Sequence, residues 1–407
     1  DKAKMIKKMR FQVYRIEKEI KHDVRALVRA IQQYASDEAK PFVHFTATSF
    51  DINDTANALR YRDATRDVIL PDMICLEREL IDLARRERDT LQIGRTHGQH
   101  AEPITFGFAV AQYVNRFGGR IAKVKEACDS LVGKFSGAVG AYNALSLFAG
   151  PEEFERDLLS ELGIKPAKIS TQIVPPEPLT DFVYAIVSSF GVLANYARDM
   201  RNLQRTEIAE VSEPFGKKQV GSSTMPQKRN PINFENIEGA WKVSMPRLLT
   251  ALMDQVSEHQ RDLTNSITGR YVPELLVLFD STLRRTARVT RELVINREKM
   301  RENFEMSADK IVAEPLQLLL AYKGFPDSHE KVRQLAMQSY STGKPLTEIV
   351  FEDEELRPWL EKLGEQELSI IRNPENYTGI ASRKAEELCD MWEEKINRLE
   401  EELRYAK

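Results

Sequence analysis

The feature that most constrains this chain is a set of long apolar stripes with a helical period. One stripe runs from Phe106 to Leu131 in steps of three and four residues, and a second runs from Val183 to Leu203. This spacing puts the apolar side chains on one face of a helix. A third stripe, from Ile237 to Val256, contains Pro246 and predicts a kinked helix, and a fourth runs from Leu388 to Leu403. Long helices with such steps are typical of bundles with shallow crossing angles, so the sequence predicts an all-α fold with a long central helical bundle.

Four segments break the helical pattern. They contain prolines, glycines and polar residues, and they span residues 41–56, 94–107, 162–180 and 211–231. The last is the longest, and five residues forbid a regular helix there: Pro214, Gly216, Gly221, Pro226 and Pro231. Long irregular loops are uncommon inside compact domains and are often functional.

The length of 407 residues predicts two to three domains. We expect an N-terminal helical domain at residues 1–47, a central long-helix bundle at 48–301 and a C-terminal helical domain at 302–407. The last boundary rests on the shorter segments that begin near Lys310. Because the chain opens at Asp1 without a methionine and is helical from the outset, we expect the natural N-terminus to lie upstream.

Composition narrows the class of protein. Lys and Arg number 59 against 62 Asp and Glu, a net charge of -3 that disfavours nucleic acid or an anionic membrane as the main partner. The three cysteines are far apart and predict no disulfide framework, which fits a reducing cytoplasm. The chain has no apolar run of membrane-spanning length. His97 and His100 lack a third ligand in a zinc pattern, so we expect neither a metal nor another cofactor.

The loop at 211–231 has the composition of an anion site. It carries four cations, Lys217, Lys218, Lys228 and Arg229, against the single acid Glu213. The hydroxyls of Ser222, Ser223 and Thr224 lie beside Gly221, which lets a ligand approach the backbone closely. This combination suits a carboxylate or a phosphate. On composition alone, a solvated surface loop is an equal alternative.

Three of the six histidines, His44, His97 and His100, lie in the broken segments. Near neutral pH, acid–base catalysis is a natural use for such a side chain, while a hydrogen-bonded core histidine is the safer interpretation of any one of them. The sequence also lacks the motifs of serine esterases, P-loop enzymes and dinucleotide-binding proteins.

Three motifs carry a resemblance to a known family. GSSTMPQKRNP at 221–231 resembles the signature loop of the aspartase/fumarase superfamily, and GRTHGQHAEPITFG at 94–107 and HFTATSFDINDTA at 44–56 resemble two other blocks of it. They occur in family order and spacing, and the match extends over nearly the whole chain. Residues 21–23 and 170–172 are similar to the adenylosuccinate lyase branch in particular. We therefore name residues 211–231 the signature loop.

The resemblance implies a three-domain, all-α fold in which long helices of four subunits form one bundle. It implies a homotetramer whose active sites each take segments from three subunits. The implied reaction is a β-elimination that releases fumarate from adenylosuccinate, giving AMP, and from SAICAR, giving AICAR. The partners are therefore small nucleotide substrates, with no cofactor, nucleic acid or membrane.

The resemblance also assigns roles to residues of this sequence. Ser222 would be the general base, His97 the general acid, and Glu235 would orient the ring of His97. Lys228, Asn230, Ser223 and the backbone N–H groups of Thr224 and Met225 would stabilise the dianion that forms when the carbon acid loses its proton. The implied substrate-binding residues are Lys21, His22, Asp23, His44, Thr48, Ser49, Thr96, Gln172, Ser223, Lys228, Arg229, Asn230, Ser266 and Arg270.

Alternatives remain within this interpretation. Argininosuccinate lyase, fumarase and aspartase share the signature loop, whereas carboxymuconate cycloisomerase relatives tend to lack the histidine at position 97. A relative that has lost activity and persists as a structural protein is a second alternative, although the proposed catalytic positions are intact here. HQRDLTNSITGR at 259–270 departs from the bacterial form of this block, which weakens the roles given to Ser266 and Arg270.

Overall fold

A computed structural model describes residues 2–216 and 218–405. This part of the chain contains eighteen α-helices, in the order α1 (Lys2–Ile20), α2 (Asp23–Gln32), α3 (Ser49–Ala64), α4 (Leu70–Arg86), α5 (Phe106–Asp129), α6 (Pro151–Glu161), α7 (Glu177–Leu203), α8 (Ile232–Ser244), α9 (Pro246–Met253), α10 (Tyr271–Arg291), α11 (Arg297–Glu305), α12 (Ala308–Ile311), α13 (Ala313–Tyr322), α14 (Ser328–Thr342), α15 (Leu346–Glu352), α16 (Arg357–Leu360), α17 (Glu365–Arg372) and α18 (Ala381–Tyr405). A π-helical segment, Thr65–Ile69, lies between α3 and α4, and short 3-10 turns occupy Lys40–Phe42, Leu145–Leu147, Thr268–Arg270 and Pro374–Asn376.

Strands are few and short in the described residues. They are β1 (Leu91–Thr96), β2 (Gln99–Thr105), β3 (Val132–Gly133), β4 (Lys165–Pro166), β5 (Val211–Ser212) and β6 (Val294–Ile295). They pair as an antiparallel hairpin, β1–β2, a parallel pair, β3–β4, and an antiparallel pair, β5–β6. The all-α prediction is confirmed in its main content, but the segment at 94–107, which we expected to be an irregular break, forms most of the hairpin.

The apolar stripes form the long helices that the sequence predicts. In α5 the side chains of Val110, Phe117, Ile121 and Val124 are buried, as expected for the core face of an amphipathic helix. Pro246 interrupts the third stripe as predicted, since α8 ends at Ser244 and α9 begins at the proline. Proline has no N–H to donate to the preceding turn, so it fits the first position of a new helix.

The chain folds into two compact units. The first contains the described residues up to 66 together with 124–185 and 246–274, and the second contains 67–123, 186–245 and 275–405. Within the second unit, α13–α17 enclose an apolar core that includes Leu316, Leu320, Leu335, Val350 and Ile371. The division into domains at 1–47, 48–301 and 302–407 stays a prediction.

The helix α7 is long and apolar enough, by length and composition alone, to cross a membrane. Two-thirds of its most apolar window (67%) is buried inside the protein, which is the behaviour of a core helix. Phe182, Ile186 and Phe190 on this helix have no exposed surface. The apolar character of α7 is therefore accounted for by packing.

Candidate functional site

The first unit contains a cavity of about 820 Å³. Its walls come from α1, the start of α2, α3, the segment at 174–180 and the segment at 251–273. Six of the residues that the sequence assigns to substrate binding line it: Lys21, His22, Asp23, Ser49, Ser266 and Arg270. Among the described residues, His44, Thr48 and Gln172 do not line the cavity. A volume of this size suits a small organic ligand.

The junction of α1 and α2 presents His22 to the cavity. Lys21 adopts a left-handed backbone conformation (φ +56°), which ends α1 and turns the chain. His22 is the N-cap of α2, and its Nδ1 accepts a hydrogen bond from the N–H of Arg25 at 3.2 Å. Because Nδ1 is an acceptor here, the neutral ring carries its proton on Nε2. The imidazole is thus oriented by the helix end, with Nε2 left as a donor.

His44 lies in the connection between α2 and α3, also in a left-handed conformation (φ +67°). Its Nε2 is buried and finds no hydrogen-bond partner among the described residues. Burial lowers the pKa of His44, and the positive charge of Arg25 lowers it further. The negative charge of Asp51 raises this pKa but does not outweigh burial. Burying a polar atom without a hydrogen-bond partner costs free energy, so a ligand that hydrogen-bonds to this nitrogen would be stabilised there.

The helix α3 forms one wall of the cavity. Thr48 caps it and shares a capping box with Asp51, whose Oδ2 accepts the Thr48 N–H at 2.7 Å. Phe50, Asp54 and Tyr61 follow along the same helical face and line the cavity. Burial raises the pKa of Asp54 to about 6. This face was not predicted from the sequence, although the three- and four-residue spacing after the capping box indicates it.

Arg261 is a second cavity residue that the sequence analysis missed. Its guanidinium carbon lies 4.0 Å from the centre of the Phe50 ring, in the geometry of a cation–π contact. The Nε of Arg261 is buried and has no hydrogen-bond partner among the described residues. Burial lowers the pKa of this side chain from its ordinary value. A partly buried guanidinium with an unused donor is a suitable site for a phosphate or carboxylate group.

In the second unit, His97 occupies the tip of the β1–β2 hairpin. His97 and Gly98 both have positive φ, at +53° and +77°, which is the pattern of a type I′ turn. The tip is exposed, and Thr96 precedes it on β1. The strand residues next to the tip are held in place, since Arg95 donates to the buried Glu210 at 2.5 Å and His100 shares a 2.8 Å hydrogen bond with Ser307. His97, the proposed general acid, therefore lies in an exposed turn whose flanking strand residues are held by hydrogen bonds.

The signature loop is irregular from Glu213 to Pro231 in its described part, as the sequence predicts; Lys217 lies outside the described residues. The loop folds back on itself at Gly221, where a Cβ atom would lie only 2.0 Å from the carbonyl oxygen of Lys228. Asn230 closes the same turn by donating to the Gly221 carbonyl at 3.0 Å. A side chain at position 221 would open this turn, so glycine is required there.

Ser222 lies at the centre of this turn. Its Oγ accepts hydrogen bonds from the N–H groups of Thr224, at 3.3 Å, and Met225, at 3.1 Å. These are the N–H groups that the resemblance assigns to the developing dianion, and here they serve the serine instead. Hydrogen bonds donated to an oxygen stabilise its anionic form, so this arrangement lowers the cost of forming an alkoxide on Ser222.

The charged residues near Ser222 differ in their partners. Lys228 is exposed, and among the described residues no carboxylate lies within ion-pair distance of it. Arg229 lies over the ring of Phe215, 4.8 Å from its centre. Glu235, in the first turn of α8, lies 3.9 Å from Arg201 and is about half exposed. Among the described residues it has no hydrogen bond to His97. Ser223 is exposed beside Ser222.

In the described residues, no group of three or more His, Cys, Asp or Glu side chains is arranged to hold a metal ion. The first unit contains the cavity with its cations. The second unit contains the hairpin and the signature loop.

Comparison with known families and proteins gives consistent results. Residues 2–243 match the family described as Lyase, and residues 257–378 match the one described as Adenylosuccinate lyase C-terminal. The chain is 40% identical to an adenylosuccinate lyase of Pyrococcus abyssi, over 94% of this chain and 84% of the relative. It is 38% identical to an adenylosuccinate lyase of Methanothermobacter thermautotrophicus, over 93% of this chain and 84% of that one.

Solved structures share the fold. A 3-carboxy-cis,cis-muconate lactonizing enzyme from Pseudomonas putida superposes with a TM-score of 0.80 at 26% identity, over 94% of this chain and 85% of the other. A fumarate lyase from Mesorhizobium sp. BNC1 gives a TM-score of 0.79 at 25% identity, over 93% and 85% of the two chains. The fumarase-like fold expected from the motifs is thereby confirmed.

Proposed function

Since this chain belongs to the adenylosuccinate lyase family and is a lyase, we propose that it cleaves adenylosuccinate into AMP and fumarate. The observation that carries the proposal is that Ser222, His97 and Lys228 are all present in a chain of this family. We extend the proposal to the same elimination from SAICAR, which gives AICAR. Both substrates carry a succinyl group on a nitrogen and a phosphate at the far end, so one site can serve them.

The proposed chemistry is a proton abstraction followed by loss of an amine. Ser222 takes a proton from the carbon next to a carboxylate, and that carboxylate becomes a dianion. The carbon–nitrogen bond then breaks, its electrons go to the nitrogen, and His97 supplies the proton that the departing nitrogen needs. Two N–H groups on the Ser222 oxygen support the role of base, because they lower the cost of its anionic form.

Lys228 is proposed to stabilise the dianion, together with Asn230 and Ser223. Its ammonium group has no competing carboxylate among the described residues, so its charge is available to a substrate. In the conformation described here, the Asn230 amide donates to the Gly221 carbonyl within the loop and is not free for a substrate. We therefore propose that the signature loop rearranges when substrate binds, as mobile catalytic loops do. Glu235 is proposed to orient the His97 ring.

The cavity of the first unit is proposed to bind the nucleotide part of the substrate. Lys21, Arg261 and Arg270 are cations that line it, and His22 offers an Nε2 donor, which together suit a phosphate. Ser49 and Ser266 add hydroxyl donors, and His44, Thr48, Asp23, Thr96, Gln172 and Arg229 complete the proposed binding set. Burial keeps His44 neutral by lowering its pKa, so it would act as a hydrogen-bond partner rather than as a cation.

We also propose a homotetramer with active sites shared between subunits. In the first unit, Leu249, Leu252, Met253 and Val256 expose 46–79% of their surface although they are apolar. In the second unit, Val243 on α8 and Val277 on α10 are exposed by 57% and 70%. Exposed apolar surface of this kind is typical of an interface, and a second copy of the chain is the proposed occupant. A cytoplasmic location fits an enzyme of this kind.

One assay tests the proposed function. Purified protein is given adenylosuccinate or SAICAR, and fumarate release is followed beside argininosuccinate and malate controls. Loss of 3-carboxymuconate is followed as a separate control, because its lactonisation releases no fumarate. We expect turnover of adenylosuccinate and of SAICAR only. Turnover of a control instead would assign the chain to another branch of the superfamily, and turnover of none would favour an inactive structural relative. Light scattering of the same sample gives the subunit number.

A further inference from the structure

We propose, building on the proposed function, that Asp54 is a positioning residue for substrate binding. It holds the segments that carry Gln172 and Arg261 against the cavity face of α3, and its charge offsets that of Arg261. Asp54 lines the cavity. It lies within the motif at 44–56, but the resemblance assigns no role to it. The inference rests on the contacts of three segments that are distant in sequence and all belong to the first unit.

The first contact ties α3 to the segment after Gln172. The Oδ2 atom of Asp54 accepts a hydrogen bond from the N–H of Val174 at 3.0 Å. Val174 is followed by Pro175 and Pro176, which have no N–H, so it supplies the only backbone donor of this stretch. All three residues line the cavity. The Asp54 carboxyl group is therefore the anchor available to this part of the wall.

The second contact extends the connection to Arg261. The N–H of Gln172 donates to the carbonyl oxygen of Gln260 at 3.3 Å, and Arg261 follows directly. The Arg261 guanidinium lies over the ring of Phe50, one helical turn before Asp54 on α3. The contacts thus link α3 to Val174, Gln172 to Gln260, and Arg261 back to Phe50 on α3. Loss of the Asp54 hydrogen bond would loosen the Gln172 and Arg261 segments together.

The charges around Asp54 make it a partner for Arg261 in particular. Positive charge on Arg261 and on Lys134 favours its ionised form, while Asp51 disfavours it. Lys134 already forms a buried ion pair with Asp51, so much of its charge is offset. Arg261 has no carboxylate within ion-pair distance among the described residues, so Asp54 and Asp262 act on its charge from farther away. Tyr61, on the same helix, is a further titratable neighbour, and its pKa is raised mainly by burial.

A consequence follows for binding. Burial opposes ionisation of Asp54 and raises its pKa to about 6. Above that pH the carboxylate offsets part of the Arg261 charge and weakens the attraction for an anionic substrate. Below it the neutral acid leaves Asp262 to offset the Arg261 charge, while the carbonyl oxygen of Asp54 still accepts the Val174 N–H. The Asp54–Val174 hydrogen bond therefore positions this part of the cavity wall at every pH. The charge of Asp54 changes the affinity for an anionic substrate with pH.

Two substitutions separate these effects. Asp54→Leu removes both the hydrogen bond and the charge, and we expect KM for adenylosuccinate to rise about tenfold or more at any pH, with kcat changed by less than about threefold. Asp54→Asn keeps an oxygen that accepts the Val174 N–H. We expect its KM to lie about threefold below that of the natural enzyme near pH 8 and to equal it near pH 5.5, because only the charge is lost. Asp63→Asn, on the same helix but outside the cavity, is the matched control.

Affinity for AMP, measured by calorimetry on the same folded variants, separates this inference from the proposed function. A natural enzyme that binds AMP but releases no fumarate would overturn the function alone, and the AMP affinities would still report on Asp54. Asp54→Leu with an unchanged affinity would overturn the positioning role. An Asp54→Asn effect of the same size at both pH values would overturn the charge effect. Failure of the natural protein to bind AMP would overturn both proposals.

Discussion

Lys134 and Asp51 form an ion pair in which neither side chain is exposed to solvent. Asp51 also accepts the N–H of Ser136 at 3.0 Å, and Lys134 donates to the Gly137 carbonyl at 3.2 Å. The pair therefore joins the start of α3 to the segment after β3, and Asp51 also accepts the N–H of Thr48, a proposed substrate-binding residue. Each charge depends on the other, because a buried charge without a partner is very costly.

Replacement of Lys134 by Met should destabilise the protein strongly. The substitution leaves Asp51 buried without its cation, and breaking such a pair costs about 3–5 kcal/mol. The free energy of unfolding in urea measures the effect. Lys299→Met removes an exposed pair with Glu302 and is expected to cost no more than about 0.5 kcal/mol. Equal stability of the two variants would contradict a structural role for the Lys134 pair.

Ser222→Ala should abolish turnover and leave substrate binding intact. The alanine lacks the oxygen that receives the Thr224 and Met225 N–H groups and that is proposed to take the substrate proton. Loss of a general base typically lowers kcat by about 10²–10⁴-fold. Fumarate release and nucleotide affinity are measured on the same preparation, with Ser341→Ala as an exposed serine control. Full turnover in a verified Ser222→Ala protein would remove this residue from the mechanism.

His97→Asn should also lose turnover, with its hairpin preserved. Asparagine tolerates the left-handed conformation that His97 adopts, so the turn is expected to survive the change. Mixing this variant with Ser222→Ala, after denaturation and refolding together, should restore part of the activity if each active site draws on different subunits. A mixed tetramer that stays inactive, while the natural protein recovers under the same treatment, would argue against shared sites.

Lys228→Ala should slow the chemical step by about 10²–10³-fold, or roughly 3 kcal/mol, which is the usual effect of losing a donor to a developing anion. Its measurement is kcat for fumarate release under saturating substrate. Lys218→Ala lies in the same loop and is exposed, so it controls for loss of a positive charge without loss of the proposed contact. Equal losses in both variants would indicate a general charge effect instead.

Glu77→Met should stabilise the protein, and more so at higher pH. Glu77 in α4 is fully buried, and neither of its carboxyl oxygens has a partner among the described residues. Burial raises the pKa of Glu77 well above its ordinary value, so the folded state keeps a proton that the unfolded state releases. The natural protein therefore loses stability as the pH rises from about 4.3 toward the folded-state pKa.

Methionine has a similar length and no polar atom to satisfy, so the gain is expected to be about 1–3 kcal/mol at neutral pH. The free energy of unfolding is compared near pH 4.5 and near pH 8, with the exposed Glu361→Met as the control. A gain of the same size at both pH values would mean that Glu77 is ionised in the folded protein, contrary to the assignment.

Much of the fold could be predicted because it depends on local periodicity. The stripes from Phe106 and Val183 specify α5 and α7, and Pro246 ends one helix because it lacks an N–H. The signature loop was equally predictable, since its prolines and glycines exclude a helix. The hairpin was not, because its strands are short and lack clear alternation, and a His-Gly turn is a weak local signal.

In the candidate site, too, local features could be predicted from the sequence and contacts between distant segments could not. The chain's own order of residues determined the long helices, the irregular signature loop and the identity of the serine, lysine and histidine available for catalysis, because each is a property of a short segment. Only the tertiary structure decided that Arg261 stacks on Phe50, that Asp54 holds Val174, and that His44 buries a nitrogen without a partner. Those relations join segments far apart in the chain, and burial, which sets the protonation of Asp54 and His44, exists only after the chain has packed.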